Sequence, residues 1–185
     1  MIFRAFQDLD LLLEAGKVLI IYGPRRVGKT TLLQAYLSTY VGKYRLLSGD
    51  DIGIRQVFGS ESVDTISSFV QEYDLIAIDE AQRIPNIGLG LKILVDHNPN
   101  LKVIATGSAS FDLANKIGEP LTGRKTTLIL HPISQTELLT IAPPQELKEK
   151  LGDFLIYGAY PEIIVAKSNS KRKAILEEIV GSYLL

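Results

Sequence analysis

No cysteine occurs among the 185 residues, which excludes disulfide bonds and thiolate-held metals. Histidine is almost as scarce. His97 and His131 are far apart and lack ligand-like spacing, so each reads as a loop or strand-end residue. There is no excess of either charge: 20 Lys and Arg face 21 Asp and Glu. Such a balance gives no support to a nucleic-acid coat or a polybasic membrane binder, although it leaves room for a local basic patch. The short basic run Lys171-Arg172-Lys173 reads as a solvated helix start. No apolar run approaches the ~18 residues that would cross a bilayer. The N-terminus lacks the charged-then-apolar pattern of a secretory leader, and internal repeats and low-complexity tracts are missing. What remains is the profile of a cytoplasmic protein. Its 46% hydrophobic residues suffice for one α/β domain, or one domain with an appendage.

Against these absences one run stands out. Gly23-Pro24-Arg25-Arg26-Val27-Gly28-Lys29-Thr30 has the spacing G-x-x-x-x-G-K-[ST] of a phosphate-binding loop. It follows the apolar Val18-Leu19-Ile20-Ile21-Tyr22 and leads into the helix-forming Thr31-Leu32-Leu33-Gln34-Ala35-Tyr36-Leu37, the strand–loop–helix setting the motif needs. Such a loop turns its backbone N–H groups onto an anion, and the helix N-terminus adds partial positive charge at the same point. Gly23 and Gly28 allow an approach that a Cβ would block. Lys29 would reach the β- and γ-phosphates of a nucleotide, and Thr30 would put its hydroxyl on Mg²⁺.

Periodicity supplies the frame. Apolar residues at Phe3, Phe6, Leu9, Leu12 and Leu13 predict a helix over 2–15. Strands are predicted at 17–22, 44–47, 75–78, 101–106 and 126–130, alternating with helices at 29–40, 62–73 and 88–97. That alternation argues for a parallel sheet covered by helices on both faces. After Pro132 the pattern turns helical. Ser134-Gln135-Thr136-Glu137 resembles a capping box opening a helix over 135–140, and helices follow at 145–157 and 171–185. The core is expected over 1–131 and a small helical part over 132–185. The latter ends in mid-helix at Leu185, which suggests a domain cut from a larger polypeptide.

Leu75-Ile76-Ala77-Ile78-Asp79-Glu80 supplies a second motif, a buried strand delivering carboxylates to its C-terminal edge. In open α/β sheets ligands bind at that edge. Asp79 would hold Mg²⁺ through water, and Glu80 would polarise the water attacking a γ-phosphate. At the end of the fourth strand, Thr106-Gly107-Ser108-Ala109-Ser110 offers Thr106 or Ser108 to orient water or sense that phosphate, while Ser108 and Ser110 read equally well as helix caps.

These segments resemble the AAA-like prokaryotic ATP-binding proteins of the P-loop superfamily. So do Leu121-Thr122-Gly123-Arg124, His131-Pro132-Ile133-Ser134 with Glu137-Leu138, and Gly158-Ala159-Tyr160-Pro161-Glu162. The resemblance runs from about 17 to 165. It implies a three-layer α/β/α P-loop core with a five-stranded parallel sheet, a small helical lid and a C-terminal domain beyond it. It also implies ATP and Mg²⁺ as ligands, and the loop Gly23, Pro24, Arg25, Arg26, Val27, Gly28, Lys29, Thr30 and Thr31 as the phosphate cradle. Thr30 and Asp79 would hold the metal, Glu80 would be the catalytic base, and Thr106 and Ser108 the sensors.

Arg26 reads two ways, near phosphate or ion-paired with a neighbouring segment. Arg124, placed by its motif at the phosphate face, would stabilise charge developing on the γ-phosphate in cis or from another subunit; the alternative is a surface ion pair. Arg83 is a weaker candidate of the same kind. The leading expectation is an ATPase that drives or gates a partner domain or protein, with subunit contacts at the nucleotide if it oligomerises. A nucleotide-operated switch with negligible turnover is the alternative, and a small-molecule kinase fits less well because Glu80 favours water over an acceptor hydroxyl. A GTPase is disfavoured, since Asn115-Lys116-Ile117-Gly118 lacks the Asp of the guanine-reading motif. A nucleic-acid partner rests on the resemblance alone.

Overall fold

Strand β1 (Val18–Gly23) runs through the glycine loop into α1 (Lys29–Leu37) in the computed structural model, which describes residues 4, 8–108 and 120–184. There follow β2 (Tyr44–Ser48), α2 (Ile52–Gly59), α3 (Val63–Val70), β3 (Leu75–Asp79), α4 (Ile87–His97), β4 (Lys102–Ser108) and β5 (Lys125–Ile129). The strands form one five-stranded sheet in the order β2-β3-β4-β1-β5, and every neighbouring pair is parallel. Strands that are apolar without alternation belong in such a sheet, because both faces are covered. Leu75, Ile76, Ala77 and Ile78 of β3 are all fully buried.

Side chains alternate across the pleat and so sort the core into two layers. Val18, Ile20, Ile76, Ile78, Val103 and Ala105 share one cluster with Ile54 and Phe58 of α2, Ile66 and Val70 of α3, and Leu91, Leu94 and Val95 of α4. Helix α1 packs on β1 and β4 instead. It buries Leu32, Leu33, Tyr36 and Leu37 outside that cluster. The result is the α/β/α sandwich the sequence predicts. Burying the larger of these side chains contributes about 1.5–3 kcal/mol each.

Two compact units emerge. One comprises Asp8–Gly23 and Lys29–Ile129, and holds the sheet; the other comprises Met1–Gln7, Pro24–Gly28 and Leu130–Leu185. The sheet-bearing unit ends at Ile129, and the N-terminal segment and the middle of the glycine loop belong with the helical unit. That unit contains α5 (Gln135–Leu138), α6 (Pro144–Glu149), α7 (Leu151–Tyr157), α8 (Pro161–Val165) and α9 (Asn169–Leu184). Its helices close on two small cores, Ile133 with Leu138 and Leu147, and Ile163 with Ala166, Ile175 and Ile179. The capping box at Ser134 and Glu137 is formed in both directions. Among the described residues no helix is long and apolar enough to cross a membrane.

Three sequence expectations need correction. The helix over 2–15 is, in its described part, only a 3-10 turn at Leu9–Leu11. A single tight turn already buries Leu9 and Leu13, and the Tyr36 hydroxyl fixes it by donating to Asp10 at 2.7 Å. Helix α2 has no counterpart in the sequence reading, where Gly53 and Gly59 mask it; its start signal is Asp51, whose carboxylate accepts from the N–H groups of Gly53 and Ile54. The helix over 145–157 is two helices, α6 and α7, and α8 follows after a break at Gly158, which takes φ +73°.

Candidate nucleotide site

All strands being parallel, their C-terminal ends lie along one edge of the sheet. β1 ends there at Gly23, β3 at Asp79 and β4 at Ser108, with Ser108 in register beside Gly23. Asp79 is the hub of this edge. Its Oδ2 accepts from the Thr30 hydroxyl at 2.8 Å, and its Oδ1 accepts from the hydroxyl of Thr106, a fully buried residue. The Glu80 N–H points at the same pair, 3.2 Å from Asp79 Oδ1 and 3.4 Å from Thr106 Oγ1. Lys29, 5% exposed, lays its ammonium on the Gly23 carbonyl at 2.9 Å. A hydroxyl beside a carboxylate is a hard-oxygen donor set, which suits Mg²⁺ together with waters and phosphate oxygens. Thr30 and Asp79 therefore fit the metal.

Glu80 is held in an unusual posture. Its backbone is left-handed, φ 52° and ψ 39°, a conformation that costs a non-glycine residue on the order of 1 kcal/mol or more. The tight turn Ala81–Arg83 follows at once, with Ala81 fully buried, and Gln82 Nε2 donates to the Glu80 carboxylate at 2.5 Å. From the side, the end of β2 presses in. The Gly49 N–H donates to the Asp79 carbonyl at 2.8 Å, and a Cβ at Gly49 would lie 2.2 Å from the Glu80 carbonyl oxygen. Only glycine fits there.

The middle of the loop is organised within the helical unit. Arg26 is left-handed at φ 61° and Gly28 takes φ +99°. The Arg26 guanidinium pairs with both carboxylate oxygens of Glu178 on α9, with Nη1 donating to Oε2 at 3.0 Å, and lies 3.5 Å from Glu162 on α8. The hydrogen bonds to Glu178 raise its pKa above the ordinary arginine value. Of the two readings of Arg26, the ion pair is the one observed. Val27 is fully buried, its carbonyl facing Arg4 at 3.3 Å.

A family model described as an AAA domain matches residues 15–139. The chain belongs to the AAA domain family. Among curated proteins, this AAA domain is 25% identical over 186 residues to an uncharacterized protein of Methanocaldococcus jannaschii, covering 93% of this chain and 42% of that one. It is 29% identical over 174 residues to an uncharacterized protein of Mycobacterium tuberculosis, covering 93% and 36%. The chain thus spans less than half the length of these relatives. Among solved structures it is similar in fold to the Walker-type ATPase of Pyrococcus abyssi, with TM-score 0.54 and 17% identity, covering 89% of this chain and 67% of that one. The AAA domain match and this likeness in fold agree with the resemblance read from the motifs.

Within this AAA domain the expected residues separate. Lys29, Thr30, Asp79, Glu80 and Thr106 share the sheet edge, with Ser108, 7% exposed, flanking Gly23. Arg25 and Thr31 are exposed. Arg124 is a correction. It precedes β5, and its carbonyl accepts from the Val18 N–H at the start of β1. That is the opposite edge of the sheet, the length of β1, about 17 Å, from Gly23. Its guanidinium pairs with Asp96 on α4. Arg83 forms an exposed pair with Asp50 at 2.7 Å, a geometry that contributes little. Ala109, Ser110 and the Asn115–Gly118 segment lie outside the described residues. Sequence reasoning missed Gly49, Gln82 and Arg4. The first two carry weak signals, a glycine closing a strand before two acids and a glutamine two residues past Glu80. Arg4 carries none.

Proposed function

We propose that this AAA domain binds ATP with Mg²⁺ and hydrolyses it to ADP and phosphate, and that hydrolysis drives or gates a partner domain or protein. The observation that carries the proposal is the hydrogen-bonded series Thr30–Asp79–Thr106 at the strand ends, with Lys29 on one side and Glu80 on the other. Thr30 and Asp79 would hold Mg²⁺, which supplies charge neutralisation at the phosphates when bound. Lys29 would leave the Gly23 carbonyl for the β- and γ-phosphates. Glu80 accepts a proton from the attacking water; the new P–O bond forms as the bond from Pγ to the β,γ-bridging oxygen breaks, and ADP leaves with that oxygen. Thr106 holds Asp79 in place while this happens. Arg124 has no part in this reading within a single chain.

The switch reading draws support from one contact. Gln82 engages the Glu80 carboxylate at 2.5 Å, and a base so held turns over slowly until that contact opens. Binding and phosphate release with ATP, GTP and ADP, using Lys29→Ala as control, tests the proposal. ATP-selective binding that Lys29→Ala abolishes, with phosphate release in the parent, is the expected outcome. Glu80→Gln is expected to keep ATP and lose about 10²–10⁴ in turnover, the range for a general base. Turnover that survives in Glu80→Gln removes Glu80 from the role of base.

A further inference from the structure

Arg4 lies 25 residues before Lys29 in the sequence, yet it is built into the helical unit as a nearly buried cation, 9% exposed. Its three contacts are all to that unit. Nη1 donates to the Val27 carbonyl at 3.3 Å, Nη2 donates to the His131 carbonyl at 2.6 Å, and Nε lies 3.0 Å from Glu137 Oε1. Glu137 is itself 6% exposed, and its other oxygen closes the capping box by accepting from the Ser134 N–H at 2.8 Å and hydroxyl at 3.0 Å. Burial lowers the Arg4 pKa and the Glu137 carboxylate opposes the shift; a guanidinium stays charged at any working pH. A buried cation is expensive unless its partners are fixed, and here one of those partners is the loop carbonyl one residue before Gly28.

Planarity of the peptide unit gives that contact a consequence. In a trans peptide the C=O of Val27 and the N–H of Gly28 point in opposite directions. Fixing the carbonyl on Arg4 therefore aims the Gly28 N–H the other way, out of the protein interior that Arg4 occupies. Gly28 at φ +99° continues the turn with no Cβ in the way. The geometry assigns Arg4 as a positioning residue of the phosphate loop: by holding the Val27 carbonyl it points the Gly28 N–H at the β-phosphate, and Glu137 locks it there. This role rests on the ATP reading above.

Replacing Arg4 alone would strand the Glu137 charge, so the test uses Arg4→Met/Glu137→Gln, which buries no charge and keeps an acceptor for Ser134, alongside Arg4→Lys, which keeps the cation but lacks the fork. In the full chain, both are expected to hold their melting temperature within a few degrees of the parent. Both weaken ATP and ADP by about tenfold, the scale of one charge-assisted hydrogen bond, with KM rising more than kcat falls. Adenosine binding, which makes no use of the loop, stays unchanged. Parent-like ATP affinity in a folded variant overturns the assignment, and so does an equal loss of adenosine and ATP. If Arg4→Met/Glu137→Gln fails to fold, Arg4→Lys decides on the same readouts. A parent that binds ATP no better than Lys29→Ala does overturns both this role and the nucleotide reading, so the two failures are told apart.

Discussion

Asp79 has both oxygens committed, one to Thr30 and one to Thr106, and the two hydroxyls do different work. Thr30 is exposed and would share a metal; Thr106 is fully buried and holds the carboxylate while its oxygen faces the Glu80 N–H. Thr106→Val removes that donor while keeping the branched shape. The expected result is a chain that still binds ATP, needs more Mg²⁺ for half-maximal turnover, and runs about tenfold slower, the effect of one hydrogen bond to a charged group. An Mg²⁺ titration of phosphate release checks it. At this scale the sequence was legible where spacing carries chemistry. Lys29, Thr30, Asp79 and Glu80 were named from two motifs, and the structure brings them to one edge. It was illegible where a role depends on what lies opposite. Gln82 and Gly49 act on Glu80 from a turn and a neighbouring strand, and no local pattern announces that. Arg124 was assigned to the wrong edge because its motif carries no information about which end of the strand it occupies.

Elements follow the same division. Apolar runs bounded by turns gave the inner strands β1, β3 and β4 nearly to the residue, because a parallel sheet buries both their faces, while the edge strands β2 and β5 are more polar and more exposed. Helix α2 was missed because Gly53 and Gly59 lower its intrinsic propensity by about 1 kcal/mol each, and tertiary packing of Ile54 and Phe58 makes up the deficit. Two substitutions test that account. Asp51→Ala removes the carboxylate that caps α2 and is expected to cost about 1 kcal/mol. Gly90→Ala, in α4, gains helix propensity but places a Cβ 2.5 Å from the Phe58 carbonyl oxygen, against backbone that cannot easily give way; it is expected to lose about 2 kcal/mol net. Chemical denaturation of both variants measures the costs. A Gly90→Ala chain more stable than its parent would mean α2 and α4 are not in the contact described.

At the scale of the molecule, the clearest long-range link within the helical unit is the ion pair of Arg26 with Glu178 and Glu162. These groups are partly exposed, so the pairs add little to stability. Their effect falls on the loop instead, where two carboxylates hold a cation and add negative charge near the proposed phosphate site. Glu162→Gln/Glu178→Gln is expected to leave the melting temperature unchanged and tighten ATP by about two- to fivefold, with the gain fading at high salt as the charges are screened. Calorimetry at two ionic strengths reads this directly. Nothing in the loop's sequence distinguishes this outcome from a phosphate contact for Arg26, because the acids that decide it arrive more than a hundred residues later.

The strand order has a consequence for how the protein is made. β1 is synthesised early, yet its neighbours in the sheet are β4 and β5, so the emerging chain carries the glycine loop with no strand to brace it until about residue 108 has left the ribosome. Pairing over such separations is slow to nucleate. The loop's middle waits longer still, since the acids that pair with Arg26, and the His131 carbonyl and Glu137 carboxylate that hold Arg4 against Val27, come from the last third of the chain. The first chemical motif to be translated is thus among the last to take shape, and a nascent or C-terminally shortened chain can build most of the sheet before that loop is complete.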